Sequence, residues 1–266
     1  MCGVWVLKFG GYFLLFDGSG RGWRRKIIFQ PIVLPHFVVL AFLAFFFFPS
    51  FLFFLGPVFR YGLGLPWFLV VLVVWFSLLG GAVNFPVKEF VSESPVIVSR
   101  EVSFFGFRWV VPEVVERQKT VLAVNLGGAI IPILVSAYLL AYSIPTLDPN
   151  PFFAYLKIVV VTFVVAVVAK KMSRVIPSLG IALPGFVPPI LTVTLTLAVF
   201  PIYVLNNPYF IGYVSGTIGT LIGADILNLD KVVKVGAPLV SIGGAGTFDG
   251  IYLTGVISVL LLLLLV

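Results

Sequence analysis

The sequence predicts an all-α polytopic membrane protein of about seven transmembrane helices, with a small β-hairpin in a cytoplasmic loop at residues 85–119. Three observations lead there. Apolar residues make up 61% of the 266 and charged residues 10%, and the mean hydropathy is +1.18, far from the composition of a soluble domain. Apolar runs long enough to cross a hydrocarbon core of ~30 Å recur along the chain. The basic residues between those runs fall on one side of the expected bilayer.

Residues 1–30 read as a basic, interfacial N-terminal segment and residues 31–266 as a single transmembrane domain. The early run VWVLKFGGYFLLF is framed by Lys8 and Asp17 and is followed by no small-residue cleavage site, which argues against a cleaved signal peptide. Cys2 is the single cysteine, so an intramolecular disulfide framework is excluded. The net charge of +7 does not point to nucleic acid, because no basic stripe stands free of the apolar segments. His36 is the only histidine and has no Cys or acidic neighbour at ligand spacing, so neither a metal nor a cofactor is expected.

After Arg21, Arg24, Arg25 and Lys26, a Phe-rich run over 31–55 makes the first span, and a second covers 66–84, with Asn84 at its end as a helix terminus. Residues 85–119 are the one long polar stretch. Within it SPVIVSREVSFFGFRWVVPE is β-branched and aromatic around a glycine, which predicts a hairpin at the membrane surface that leans on the membrane domain or a partner. Its edge offers an extended peptide a strand to pair with. The third span, 121–142, contains VNLGGAIIP and is expected to kink at Pro132. The turn SIPTLDPNP leads to a fourth span over 152–169, where Lys157 is expected to snorkel to the surface. A fifth covers 179–205, a sixth 209–229 and a seventh 247–266. Before the last, VGAPLVSIGGAG reads as an irregular or re-entrant approach. The third and fifth spans align at an offset of 57, matching Gly128 with Gly185 and Pro132 with Pro189, a repeat of the kind found in transporters.

With the N-terminus and the loop 85–119 cytoplasmic and the C-terminus outside, 15 of the 17 basic residues lie inside, leaving Arg60 and Lys157 towards the outside.

Two acids stand inside apolar, glycine-rich sequence: Asp225 in GTLIGADILNL and Asp249 in SIGGAGTFDGIYLTG. An ionisable group at membrane depth costs about 2.5–3.5 kcal/mol on insertion scales and marks function. On antiparallel helices joined on the inner side the two carboxylates reach similar depth, roughly 6 and 3 Å from the boundary. Gly223, Gly243, Gly244, Gly246, Thr247, Gly250 and Asn125 are the candidates for close backbone approach or substrate contact. Two carboxylates at contact distance cannot both ionise, so one activates water while the other donates a proton. The alternatives are transport or ion binding at the glycine-rich break 243–250, and a non-catalytic scaffold in which Asp225 pairs with Lys231 and Asp249 caps the last helix.

Through VNLGGAIIP, GADILNL and SIGGAGTFDGIYLTG the chain resembles an uncharacterised prokaryotic multi-pass membrane family, the domain-of-unknown-function family numbered 1614, over most of residues 65–260. Gly246-Thr247-Phe248-Asp249 also resembles the Gly-x-hydrophobic-Asp motif of presenilin-like and prepilin-type aspartyl peptidases. There each of two membrane helices carries one aspartate, which implies catalytic roles for Asp249 and Asp225. The sequence departs from that pattern: Phe precedes Asp249, no Tyr precedes Asp225, and no Pro-Ala-Leu follows. The partners expected are the lipid bilayer and a transmembrane or extended peptide.

Overall fold

Runs of Phe, Leu and Val broken by Asn-Pro and Gly-Gly punctuation give helices alternating with short strands. The computed structural model describes residues 4–9, 12–17, 28–29, 34–91, 96–104, 107–115, 119–176, 180–232, 239–244 and 250–266. Its helices are α1 (Leu34–Pro57), α2 (Trp67–Gly80), α3 (Leu126–Leu147), α4 (Pro151–Met172), α5 (Val187–Val199), α6 (Pro208–Lys231) and α7 (Gly250–Leu265). Among them α3, α4 and α6 are long and apolar enough to cross a membrane, while α2, α5 and α7 are shorter apolar helices. Asn150 before Pro151 and Asn207 before Pro208 cap α4 and α6, their side-chain oxygens accepting from Phe153 N and from Tyr209 N and Phe210 N.

Pro132 and Pro145 sit within α3, each just after a π-turn, Leu126–Ile130 and Leu139–Ser143. The wider turn absorbs the hydrogen bond that proline cannot donate.

The expectation of an all-α chain gives way to a mainly helical chain with small sheets. β1 (Val4–Phe9) pairs with β2 (Tyr12–Asp17), and β8 (Arg174–Ile176) with β9 (Gly180–Ala182). The predicted hairpin is present: β5 (Val96–Phe104) and β6 (Phe107–Val115) run antiparallel from Val96 opposite Val115 to Phe104 opposite Phe107. A further sheet has the order β10-β7-β4-β3, with β3 at Ile28–Phe29, β4 at Val83–Val91, β7 at Lys119–Asn125 and β10 at Leu239–Ile242. β4 is antiparallel to β7, with a register shift between Pro86 and Lys88, and β10 is parallel to β7.

This sheet corrects three expectations. The second span ends at Gly80, because Asn84 lies in β4. The third begins at Leu126, because Val121–Asn125 is the strand between β4 and β10; a strand covered on both faces reads as an unbroken apolar run and resembles the start of a helix. The segment expected to be irregular before the last helix contains β10. The fifth helix is also shorter than the run that predicted it, starting after β9 at Val187.

α6 forms the centre, packed against α3, α4, α5 and α7, and Phe210, Ile211, Tyr213 and Val214 on it are buried. The interior also holds Ser77, Ser136, Thr192, Ser215, Thr217, Thr254 and Ser258, whereas Phe42, Phe45, Phe53, Phe54, Phe68 and Phe163 are exposed. An apolar exterior around a hydroxyl-bearing interior suits a lipid solvent, and the chain is a membrane protein.

Candidate functional site

Asp225 ends a π-turn, Leu221–Asp225, near the end of α6. The π-turns of α3 lie beside prolines and that of Val58–Gly62 follows Pro57, but no proline accompanies this one, and such turns recur at functional sites. Gly223 packs on α4 so closely that a Cβ there would overlap the Ala166 carbonyl. Asp225 is half-buried. Three residues on, Asn228 Nδ2 donates to the carbonyls of Gly223 (3.0 Å) and Ala224 (2.9 Å), which satisfies the open end of the turn. Lys231, weighed from sequence as a partner of Asp225, donates to Asn228 Oδ1 at 2.6 Å.

α7 opens against α6. A side chain at Gly250 would lie 3.7 Å from the Thr220 methyl, and Thr220 Oγ1 donates to Thr254 Oγ1 at 3.3 Å. Gly216 and Gly255 let the helices approach: a Cβ on Gly216 would touch Thr254, and one on Gly255 would overlap Thr217. Asp249, Gly246 and Thr247 lie outside the described residues, so of the acidic pair only Asp225 is seen.

A second cluster sits where the sheet meets the helices. Asn125 closes β7 and caps α3: its Oδ1 accepts from Gly128 N (2.8 Å), and its Nδ2 donates to the Gly81 carbonyl (2.7 Å) and to Asn84 Oδ1 (3.2 Å). Ser241 on β10 donates its hydroxyl to the same Asn84 oxygen at 2.6 Å. Asn84 and Asn125 are both 0% exposed, and among the described residues Asn84 Nδ2 has no acceptor. A buried donor left idle costs about 1–3 kcal/mol.

Glycine makes this junction possible. A Cβ on Gly128 would fall on the Gly243 carbonyl oxygen, and one on Gly127 would fall on the Ser77 carbonyl. Gly243 and Gly244 both have φ of +85°, a conformation that favours glycine. Of the residues predicted to allow close backbone approach, the structure brings Gly243 and Asn125 together here, beside Gly127 and Gly128, which were not among them; Gly223 and Gly250 belong to the contacts of α6.

At the other end of α3 a third polar group joins two turns. Asp148 accepts from Asn206 Nδ2 (2.5 Å), Asn150 N (3.1 Å) and Asn207 N (2.9 Å). Beside it, Lys157 does not snorkel: it is 5% exposed and donates to the carbonyls of Phe200 (3.0 Å) and Val204 (2.6 Å), closing the C-terminus of α5. Asn206 Oδ1 is buried there without a partner among the described residues.

A family model for proteins of unknown function, DUF1614, matches residues 78–261. The chain belongs to that family. No curated protein and no solved structure matches it. The DUF1614 region opens at Leu78, just before Gly80, and takes in the glycine junction, both acids and the Asp148 group.

From sequence Asn84 reads as a helix terminus and Ser241 is passed over, although a signal is present. Leu/Ile-Gly-Gly-Ala occurs at 79–82, 126–129 and 242–245, and the glycines of these three copies border the Asn84 cluster. A short motif repeated at three helix-strand boundaries marks places where backbones must approach closely.

Proposed function

We propose that the protein is an intramembrane aspartyl hydrolase that cuts peptide bonds, with Asp225 and Asp249 sharing one proton. The observation that carries this reading is the contact of α7 with α6 at Thr220. Gly250, the neighbour of Asp249 in sequence, lies beside a residue about 7 Å along the helix from Asp225. The π-turn ending at Asp225 adds support, since nothing in its sequence requires it. In the reaction the ionised carboxylate takes a proton from water, the water oxygen attacks the peptide carbonyl, and the protonated carboxyl donates to the carbonyl oxygen. The C–N bond of the resulting gem-diol then breaks as the first carboxyl gives its proton to the leaving amine and the second takes one from a diol hydroxyl, which restores the single shared proton.

The reading includes seven membrane crossings, with the N-terminus and the loop 85–119 cytoplasmic and the C-terminus outside. Its support is the four-stranded sheet. β3, β4, β7 and β10 come from the three segments that charge assigns to the inside, and hydrogen bonding holds them at one end of the helices.

The test is a pair of measurements in proteoliposomes. With Cys2 replaced, Asp225→Cys with Asp249→Cys forms a disulfide if the two Cα atoms come within about 7 Å. Asp225→Asn and Asp249→Asn each lower cleavage of a quenched-fluorescent apolar peptide by at least about a thousandfold. Absence of the crosslink together with unchanged cleavage would reject the pair.

The positive-φ pair Gly243 and Gly244 between β10 and α7 supports a second reading, secondary transport or ion binding. Solute or ion flux without peptide cleavage selects it.

A further inference from the structure

We propose that Asn84 contacts the substrate, its side-chain N–H groups donating to a backbone carbonyl oxygen of an extended peptide. The inference rests on the hydrolase reading and names the group that holds the peptide.

The orientation of Asn84 is fixed by its neighbours. Asn125 Oδ1 is taken by Gly128 N, so Asn125 must present its Nδ2 to the Gly81 carbonyl and to Asn84. An N–H pointing there requires an oxygen opposite, so Asn84 faces it with Oδ1. The Ser241 hydroxyl fills the other lone pair of that oxygen. Nδ2 is thereby turned away from all of them, in a place that is 0% exposed, and finds no acceptor among the described residues. The idle hydroxyls of Thr196 and Thr217 differ, because a hydroxyl rotates about one bond and Asn84 is locked. A locked, buried donor without a partner calls for one that arrives.

The partner is a neutral acceptor. Asn84 is held by an amide and a hydroxyl, and no charged side chain bonds to this group among the described residues, so a neutral acceptor fits where an anion would add a buried charge. A peptide carbonyl meets that condition. Ser241 lies on β10, the edge strand from which the chain passes through Gly243 and Gly244 to Asp249, eight residues further on. The site is closed in this state, so the peptide enters as the β10–Gly244 segment shifts, with the two glycines as its hinge.

The test uses the full chain in detergent micelles, with Asp225→Asn preventing cleavage. The probe is a fluorescein-labelled decapeptide amide of alternating Leu and Ala, with one backbone carbonyl at a time replaced by a thiocarbonyl, a poorer acceptor. At one position the replacement weakens binding about fivefold, the worth of one neutral hydrogen bond. Adding Asn84→Ala abolishes that sensitivity, and Ser241→Ala, which removes one of the two hydrogen bonds that hold the Asn84 carboxamide, reduces it. If Asn84→Ala does not fold, the Ser241→Ala profile decides alone. Identical thioamide profiles with and without these changes, or no binding of the decapeptide, overturn the proposal. Binding with the Asn84 coupling but no cleavage by the unsubstituted protein keeps the contact and rejects the hydrolase. Cleavage without the coupling does the reverse.

Discussion

Helix α3 runs about 33 Å between two polar ends that are built by different means. At the Asp148 end, side chains reach across turns: a carboxylate gathers three donors, and Lys157 holds two carbonyls. At the Asn125 end, backbones touch through glycine, and three polar side chains occupy what little room is left. The first arrangement can lose one bond and keep the rest. The second, while closed, has no room for an added atom, because the Gly243 and Ser77 carbonyls already lie where a methyl group on Gly128 or Gly127 would go.

That difference is broken most directly at Gly128. Gly128→Ala drives a Cβ into the Gly243 carbonyl and is expected to cost at least about 3 kcal/mol in mixed-micelle unfolding, whereas Gly185→Ala, with nothing within 4 Å, leaves stability unchanged. Equal effects at the two glycines would show that the junction adjusts. Asp148→Ala comes next, at about 2–3 kcal/mol, since it strands three donors and removes the carboxylate beside Lys157; the same unfolding assay reads it. Lys157→Met removes two hydrogen bonds but fits an apolar interior, so about 1–2 kcal/mol is expected. A larger loss than for Asp148→Ala would make the cation the keystone of that end. Smallest is Thr220→Val, about 0.5 kcal/mol for one hydroxyl contact between α6 and α7. If it lowers peptide cleavage far more than stability, the contact positions the acids as well as the helices.

Much of this was legible in the chain. Among the described residues hydropathy placed the start of each helix within about five residues except α5, which begins eight residues after the expected start, and Asn-Pro marks the starts of α4 and α6, because caps and apolar runs are local properties. The hairpin β5–β6 was legible for the same reason, its two strands being adjacent. Lys157 was misread because a lysine within a span ordinarily reaches for water, and only the fold of the 200–204 turn supplied carbonyls nearer at hand.

The sequence by itself determined a membrane protein: apolar character sums over neighbouring residues, and a globular fold of this composition would leave too much apolar surface facing water. Tertiary structure alone decided that β10 would lie beside β7 and that Ser241 would meet Asn84, 157 positions away. Such a pairing has no period to read; it exists because glycines at three boundaries let separate backbones close to contact, leaving an amide whose oxygen is filled and whose nitrogen is not.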